Sequence, residues 1–376
     1  MTEHAEQRAG HRAAPDPDAL KLYSFQVFTK LDGAVTAGMI HLGDKLGLFR
    51  ALAGADAPLT SDELAAATGL AERWVREWAY NQAAGGIIVA ETPDDPADPA
   101  PVRFALTPEA VAVLASPDHP AFGMGMFHRL PQTMRTLEEM PESFVTGIGH
   151  DYDSHGPEGA VGIERSFEPW SNAFLVPVVL PMLDGVVERL ERGATVVDVG
   201  CGAGSALLRM AEAFPASTFV GYDISRYALD RANAKLAEKG LANVAFQDPR
   251  DDPMPTDGSV DLVTTFDCIH DMTDPQGMVH ALRAMLAEDG TWLLVDIKAL
   301  DTFAQNVAKN PMASLMYGIS VLSCMSSALS EPGGAGLGTL GLPPSRAEAM
   351  ARAAGFTRFR KLDVDHAVNA FYEVRP

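Results

Sequence analysis

Three cysteines are all that this chain of 376 residues contains. Cys201, Cys268 and Cys324 lie far apart, so they form neither a disulfide framework nor a cysteine-rich zinc motif, and free thiols suit a reducing compartment. Positive charge is also scarce: 29 Lys and Arg stand against 50 Asp and Glu, a formal net charge of -21. That excess repels nucleic acid and anionic membrane and favours solubility. No run of about 18 uninterrupted apolar residues is present. The opening Met-Thr-Glu-His-Ala-Glu-Gln-Arg lacks the basic-then-apolar pattern of a signal peptide. The expectation is a cytoplasmic protein with no membrane and no nucleic-acid partner. Hydrophobic content, 47%, is ordinary, and the length exceeds one core, so at least two domains are expected.

The chain is organised around residues 194–205, Ala-Thr-Val-Val-Asp-Val-Gly-Cys-Gly-Ala-Gly-Ser. Thr195 to Val199 reads as a strand buried on both faces, and Ser205 to Phe214 carries apolar residues at helical spacing. Gly200, Gly202 and Gly204 let the backbone turn tightly and let a ligand lie against bare main chain at the positive end of the next helix. Asp223 ends a second strand about 20 positions on, where open α/β sheets grip a ribose. Two features argue against a dinucleotide. The spacing is Gly-x-Gly-x-Gly, and Asp198, two residues before the first glycine, repels a pyrophosphate while suiting a cationic ligand such as a sulfonium.

These residues resemble the class I S-adenosylmethionine-dependent methyltransferases, and the resemblance covers roughly Arg189 to Pro376. It implies a Rossmann-like α/β fold with a seven-stranded methyltransferase sheet and S-adenosylmethionine as cofactor. Asp198, Gly200, Gly202 and Gly204 are then expected around the methionine end. Asp223, with Ile224 beside it, is expected on the ribose hydroxyls, and Asp248 on the adenine amino group. Phe266 and Asp267, at the end of the fourth strand, border the adenine and sulfonium. The loop Asp267-Cys-Ile-His-Asp-Met-Thr-Asp is similar to the motif of plant-type O-methyltransferases in which the His is the general base. That gives His270 and Asp271 as catalytic candidates, with the alternative that they only cap the next helix and fix the loop. Some carboxylate would orient the second ring nitrogen of His270; which one is not readable here.

The remainder of the chain divides as follows. Residues 1–18, rich in Ala, Pro and charge, are expected to be a disordered tail. Residues 19–115 read as a mostly α winged-helix domain: helices near 34–52, 60–68 and 72–84, then Ile87–Ala90 paired with Val102–Leu106 around an Asp/Pro tip at 93–99. The shape fits a repressor, and equally the dimerisation domain of small-molecule O-methyltransferases. Between Lys30 and Leu114, twelve acidic residues oppose six Lys and Arg. DNA binding wants the reverse, so a homodimerising role is expected.

Residues 116–188 read as a helical connector and substrate cap, and 189–376 as the cofactor domain with a lid insertion at 301–344. Met126 in a sulfur-rich stretch, Phe167, Trp170, Met312 and Tyr317 are candidates to line the substrate site, with core packing as the alternative. The cluster His150-Asp-Tyr-Asp-Ser-His has no helix to set its geometry and reads as a polar loop, so no metal is expected. The glycine run at 333–341 follows no buried strand and reads as a hinge.

The expected function is methylation of an apolar or aromatic small molecule of secondary metabolism, on oxygen first and on carbon or nitrogen next. Two alternatives share the fold elements: non-methylating chemistry on the cofactor, such as its cyclisation, and a SAM-responsive transcription regulator.

Overall fold

The computed structural model describes residues 14–95, 97 and 99–376, and the chain divides into two compact units after Thr107. The expected tail lies outside the described residues up to 13, and it ends earlier than 18. Asp16 accepts from the amides of Asp18 and Ala19 at 3.0 and 2.8 Å, and Pro17 opens a helix to Lys45. Asp followed by Pro is a cap and a first-turn residue together, so the chain is committed to helix from there.

In the first unit, helices follow at Leu48–Ala53, Ser61–Thr68 and Glu72–Ala84. Gly47, at φ 76°, breaks the first from the second. Thr60 and Glu63 close a reciprocal capping box on the third, both partners lying within its first turn. A small antiparallel sheet joins β1 (Leu59–Thr60), β2 (Val89–Glu91) and β3 (Arg103–Ala105) in the order β1-β3-β2. β1 was not legible in the sequence, since two residues carry no period. Pro96 and Asp98 of the expected wing tip lie outside the described residues.

The second unit holds a seven-stranded sheet. β4 (Thr195–Val199), β5 (Thr218–Tyr222), β6 (Val244–Gln247), β7 (Val260–Phe266) and β8 (Leu286–Ile297) run parallel, and β10 (Asn369–Arg375) enters antiparallel between β8 and β9 (Arg358–Leu362). The order is β6-β5-β4-β7-β8-β10-β9. β8 is longer than Thr291–Ile297: a register shift between Val260 and Leu262 adds Leu286–Gly290 to its start.

Side chains alternate between two cores. Val196, Leu262, Leu293 and Phe371 pack with Leu207, Met210 and Leu180 on one face. Val197, Val263, Trp292, Leu294 and Tyr372 pack with Val279, Leu282 and Phe356 on the other. Burial on both faces explains why these strands read as near-continuous apolar runs. The sheet order reverses between β4 and β7, and it is at the carboxyl ends of those two strands that such a sheet offers a crevice.

Residues 301–344, the expected lid, form helices at Phe303–Lys309, Ala313–Leu322 and Cys324–Ala328. Its glycine run is not a free hinge. The amide of Gly338 donates to the carbonyl of His270 at 3.1 Å, and that of Ala335 to the carbonyl of Thr273 at 2.9 Å, while Thr339, Leu340 and Leu342 are buried. A Cβ on Gly341 would overlap the carbonyl of Leu337, so packing, not mobility, demands that glycine.

Candidate active site

The glycine turn after β4 is closed from below by its neighbour strand. The amides of Gly200 and Cys201 donate to the carbonyl of Tyr222 at 2.8 and 3.0 Å, and that of Gly202 to Asp223 Oδ2 at 2.8 Å. Gly200, Gly202 and Gly204 all have positive φ. A Cβ on Gly200 would lie 2.6 Å from that of Cys268, and one on Gly204 would run into the Phe246 ring. The turn is therefore packed against β6 and against the loop after β7, and only glycine fits twice over.

Asp198 is buried beneath this turn. Its Oδ1 accepts from Thr264 Oγ1 at 2.7 Å, and its Oδ2 has no partner. Burial pushes its pKa up to about 7, with the Thr264 hydroxyl pulling down and Asp223 pushing up. Asp223, also buried and raised chiefly by that burial, accepts from Gly202 and, through Oδ1, from the amide of Ser225 at 2.8 Å. Ile224 is half-exposed beside it. Asp248 is gripped by Arg250, whose Nε and Nη2 reach it at 2.8 and 2.5 Å, and this pairing holds it below the usual carboxylate range. The same guanidinium donates to the carbonyl of Ile224 at 2.7 Å, so Asp248 and Ile224 share one tether.

Phe266 ends β7, and Asp267 follows with φ 49°, the single positive φ outside glycine among the described residues. Such backbone persists only where surroundings hold it. Here Asn369 Nδ2 donates to Asp267 Oδ1, and the amide of Asp267 donates to the carbonyl of Val295 at 3.0 Å. Asp267 Oδ2 is left without a partner, and burial, with Asp296 nearby, pushes its pKa up to about 7.

His270 sits in a tight turn at residues 269–271, 2% exposed. Its Nδ1 lies 2.7 Å from Asp296 Oδ1 at the carboxyl end of β8. A carboxylate only accepts, so Nδ1 carries the proton and Nε2 is the nitrogen left to act. Burial works against the charged imidazole, but the Asp296 carboxylate and then Cys324 outweigh it, and the net proton affinity is well above that of an ordinary His. Asp271 is pushed up to about 7 by burial with His270 countering, and one ligand atom from each of His270, Asp271 and Cys324 falls within 4.8 Å of the others.

Asp296 was missed in the sequence. The available signal was its place as the single charge in Thr291–Ile297, at the strand end where ligands bind. Cys324 and Tyr152 were missed as well, and nothing local marks them. Tyr152 feels the charges of Asp271 and Asp223, and burial raises its phenol.

The two histidines of the 150–155 cluster are used separately. His150 Nδ1 faces Glu139 at 3.4 Å, whereas His155 Nε2 meets Ser323 Oγ at 2.9 Å, the oxygen that Arg129 Nη2 reaches at 3.2 Å. Asp151 caps the turn Tyr152–His155, and Asp153 Oδ1 is buried without a partner.

The substrate candidates are scattered. Trp170 packs its ring on Phe174, His366 and Phe371 at 4.6 to 5.4 Å, a core role on the sheet. Tyr317 lies against Phe303 at 5.8 Å on the lid. Met126 and Met312 are exposed, and Phe167 is partly buried.

A sheet of this order with a ligand-ready glycine turn at its switch point, ringed by buried carboxylates, defines a nucleoside-cofactor enzyme of the methyltransferase type. A family model described as a methyltransferase domain matches residues 190–332, and one described as a Rv2258c-like winged HTH domain matches residues 34–114. Nocamycin O-methyltransferase of Saccharothrix syringae is 31% identical over 214 residues, which cover 52% of this chain and 70% of that protein. The chain belongs to the class I S-adenosylmethionine-dependent methyltransferases that carry a winged-helix domain.

In fold it is similar to the mitomycin 7-O-methyltransferase MmcR, at TM-score 0.67 and 21% identity over 96% of this chain and 99% of that one. It is also similar to human N-acetylserotonin methyltransferase solved with SAM, at 0.63 and 18% over 97% and 99%. Against three other bacterial relatives aligned over 102 to 115 residues, the chain spans 5%, 40% and 19% of their length.

Proposed function

We propose that the protein methylates a hydroxyl group of an apolar or aromatic small molecule, with S-adenosylmethionine as donor. One observation carries this reading: unpartnered buried carboxylate oxygens and a base-ready histidine converge at one sheet edge. Asp198 Oδ2, Asp267 Oδ2 and Asp153 Oδ1 are buried without partners. Unpaired buried acceptors are costly, and a cation relieves them where an anion would not. The residues thus fit a cofactor that brings a sulfonium and an ammonium group.

When bound, the cofactor supplies a methyl group for in-line displacement, which depends on alignment more than on acid or base. Asp198 and Asp267 would hold its cationic part, and Gly200, Gly202 and Gly204 leave bare backbone beside it. Asp223 and Ile224 would face the ribose, and Asp248, Phe266 and Arg250 the adenine. His270 Nε2 takes the acceptor's hydroxyl proton, with Asp296 fixing the ring and stabilising the imidazolium that results. Asp271 stands beside His270 in the same turn. Met126, Phe167, Met312 and Tyr317 are offered to an apolar acceptor; Trp170 supports them from the core.

A secondary-metabolite acceptor is supported by the likeness to enzymes named for nocamycin and mitomycin. No described helix is long and apolar enough to cross a membrane. The buried free thiols Cys201 and Cys268 suit the cytoplasm. The acidic winged unit supports self-association over DNA binding. Helix Pro17–Lys45 exposes Leu22, Tyr23, Phe25, Phe28 and Leu31 in its first half, a row that a second copy of the chain would cover.

The test is incubation with S-adenosylmethionine alone and then with a panel of hydroxylated aromatic acceptors, followed by mass spectrometry. Acceptor-dependent S-adenosylhomocysteine with a product heavier by one methylene supports the reading. Methylthioadenosine or a cyclised amino acid without acceptor overturns it.

A further inference from the structure

The side of His270 turned away from Asp296 holds more than a base needs. Asp271 and Cys324 bring a carboxylate oxygen and a thiol sulfur to a ring nitrogen of His270, all three ligand atoms within 4.8 Å of one another, and with Nδ1 taken by Asp296 the nitrogen left for them is Nε2. A hydroxyl substrate has no use for a thiol beside that ring, yet the Cys324 sulfur lies within 4.8 Å of it.

The set is held in place from three directions. His270 and Asp271 are neighbours in one tight turn, pinned by the Gly338 amide on the His270 carbonyl at 3.1 Å. Cys324 begins the helix Cys324–Ala328, and Ser323 before it is fixed by His155 and Arg129 at 2.9 and 3.2 Å. Two residues after Cys324, Ser326 accepts from the amide of His150 at 2.8 Å. Asp296, on Nδ1 at 2.7 Å, stands where a second carboxylate orients a ligating imidazole and raises its basicity.

We propose that His270 Nε2, Asp271 and Cys324 Sγ form a three-ligand site for one soft divalent cation, Zn2+ in the first place. Thiolate and imidazole with one carboxylate select zinc over magnesium or calcium, and three protein ligands leave a fourth position open. Metal–ligand distances of about 2.0 to 2.3 Å need the ligand atoms up to roughly 1 Å closer together, so the three side chains would draw in on binding. On binding, the Cys324 thiol gives its proton to solvent, Asp271 binds as the carboxylate, and the lone pair of Nε2 goes to the metal. A base in that state accepts no proton, so occupancy switches methyl transfer off. The inhibition, unlike the binding, rests on His270 being the base.

The experiment uses tag-free, chelator-treated full-length protein. Cobalt(II) titration is expected to give a thiolate-to-cobalt charge-transfer band saturating at one equivalent, displaced by Zn2+. Cys324→Ser should abolish the band while circular dichroism stays native. Asp296→Asn should weaken Zn2+ by about 10- to 100-fold, as loss of a ligand's supporting carboxylate does. No band, or a band that persists in Cys324→Ser, overturns the site. Stoichiometric Zn2+ that stops turnover, restored by chelator, supports the switch. Zinc bound with the Cys324 signature but turnover unchanged keeps the site and overturns His270 as base.

Discussion

Asp296 Oδ1 and His270 Nδ1 lie 2.7 Å apart, with both side chains no more than 3% exposed. This pair links the end of β8 to the loop after β7, two neighbouring strands of the sheet. It commits Nδ1 to the carboxylate, leaves Nε2 as the other ring nitrogen, and raises the proton affinity of the ring.

Catalysis by His270 requires its unprotonated form, and Asp296 raises its proton affinity above the ordinary His range of about 6.5. Activity is therefore expected to fall as pH drops through that raised value, giving an alkaline-shifted acid limb in kcat. Asp296→Asn should move the limb down and lower kcat, and His270→Ala should cost roughly 100-fold or more in kcat with little change in cofactor affinity. Wild-type kcat in His270→Ala would end the base assignment.

Asp198 is expected to set the pH dependence of cofactor binding. Its pKa, about 7 in the free protein through burial, must fall when a cation arrives. Below that value the cation competes with a proton, so affinity should rise with pH up to about 7 and then level off, with proton release on binding. Asp267, also near 7, contributes in the same sense. Calorimetry in buffers of differing ionisation enthalpy measures the protons; in Asp198→Asn, which keeps the Thr264 partner, the slope should shrink and binding weaken. An unchanged slope would mean that Asp198 does not face the cation.

Two glycines of one turn should respond differently to alanine. At Gly202, φ is 54° but an added Cβ meets nothing within 4 Å, so the cost is backbone strain alone, about 1 to 2 kcal/mol. Gly204 adds a collision with the Phe246 ring and a 3.2 Å approach to Ala232, and overpacking costs about 1 to 3 kcal/mol more. Urea denaturation of both variants checks the order. Equal stabilities would show that the turn adjusts freely against β6.

The long first helix predicts association. Phe25 and Phe28 are 71% and 67% exposed, and replacing both with Glu should yield a monomer by sedimentation velocity while cofactor affinity persists. A wild-type chain that sediments as a monomer at micromolar concentration would refute self-association through this row.

The strands of the cofactor domain were legible because burial on both faces leaves unbroken β-branched runs, so Thr195–Val199 appears at the expected bounds. The capping box at Thr60 and Glu63 was legible for a similar reason, since both partners lie within four residues. Where local signals were weak or misleading, the reading failed. The glycine run near 338 resembles a hinge by composition, but its amides are spent on the His270 loop 68 residues earlier.

By itself the amino-acid sequence determined the order of strands and helices, the glycine turn with Asp198 and Asp223 around it, and the membership of His270 in the loop after β7. Those are short-range facts, written in periodicity, capping and spacing. Only the tertiary structure decided that Asp296 rather than Asp271 holds the ring of His270, that Cys324 comes within 4.8 Å of it, and that Asp248 is tied to Arg250. The physical reason is that a parallel sheet gathers the carboxyl ends of strands separated by tens of residues into one crevice, and lid helices add to it from farther still. A carboxylate's partner there is chosen by geometry across the sheet, which no local pattern encodes.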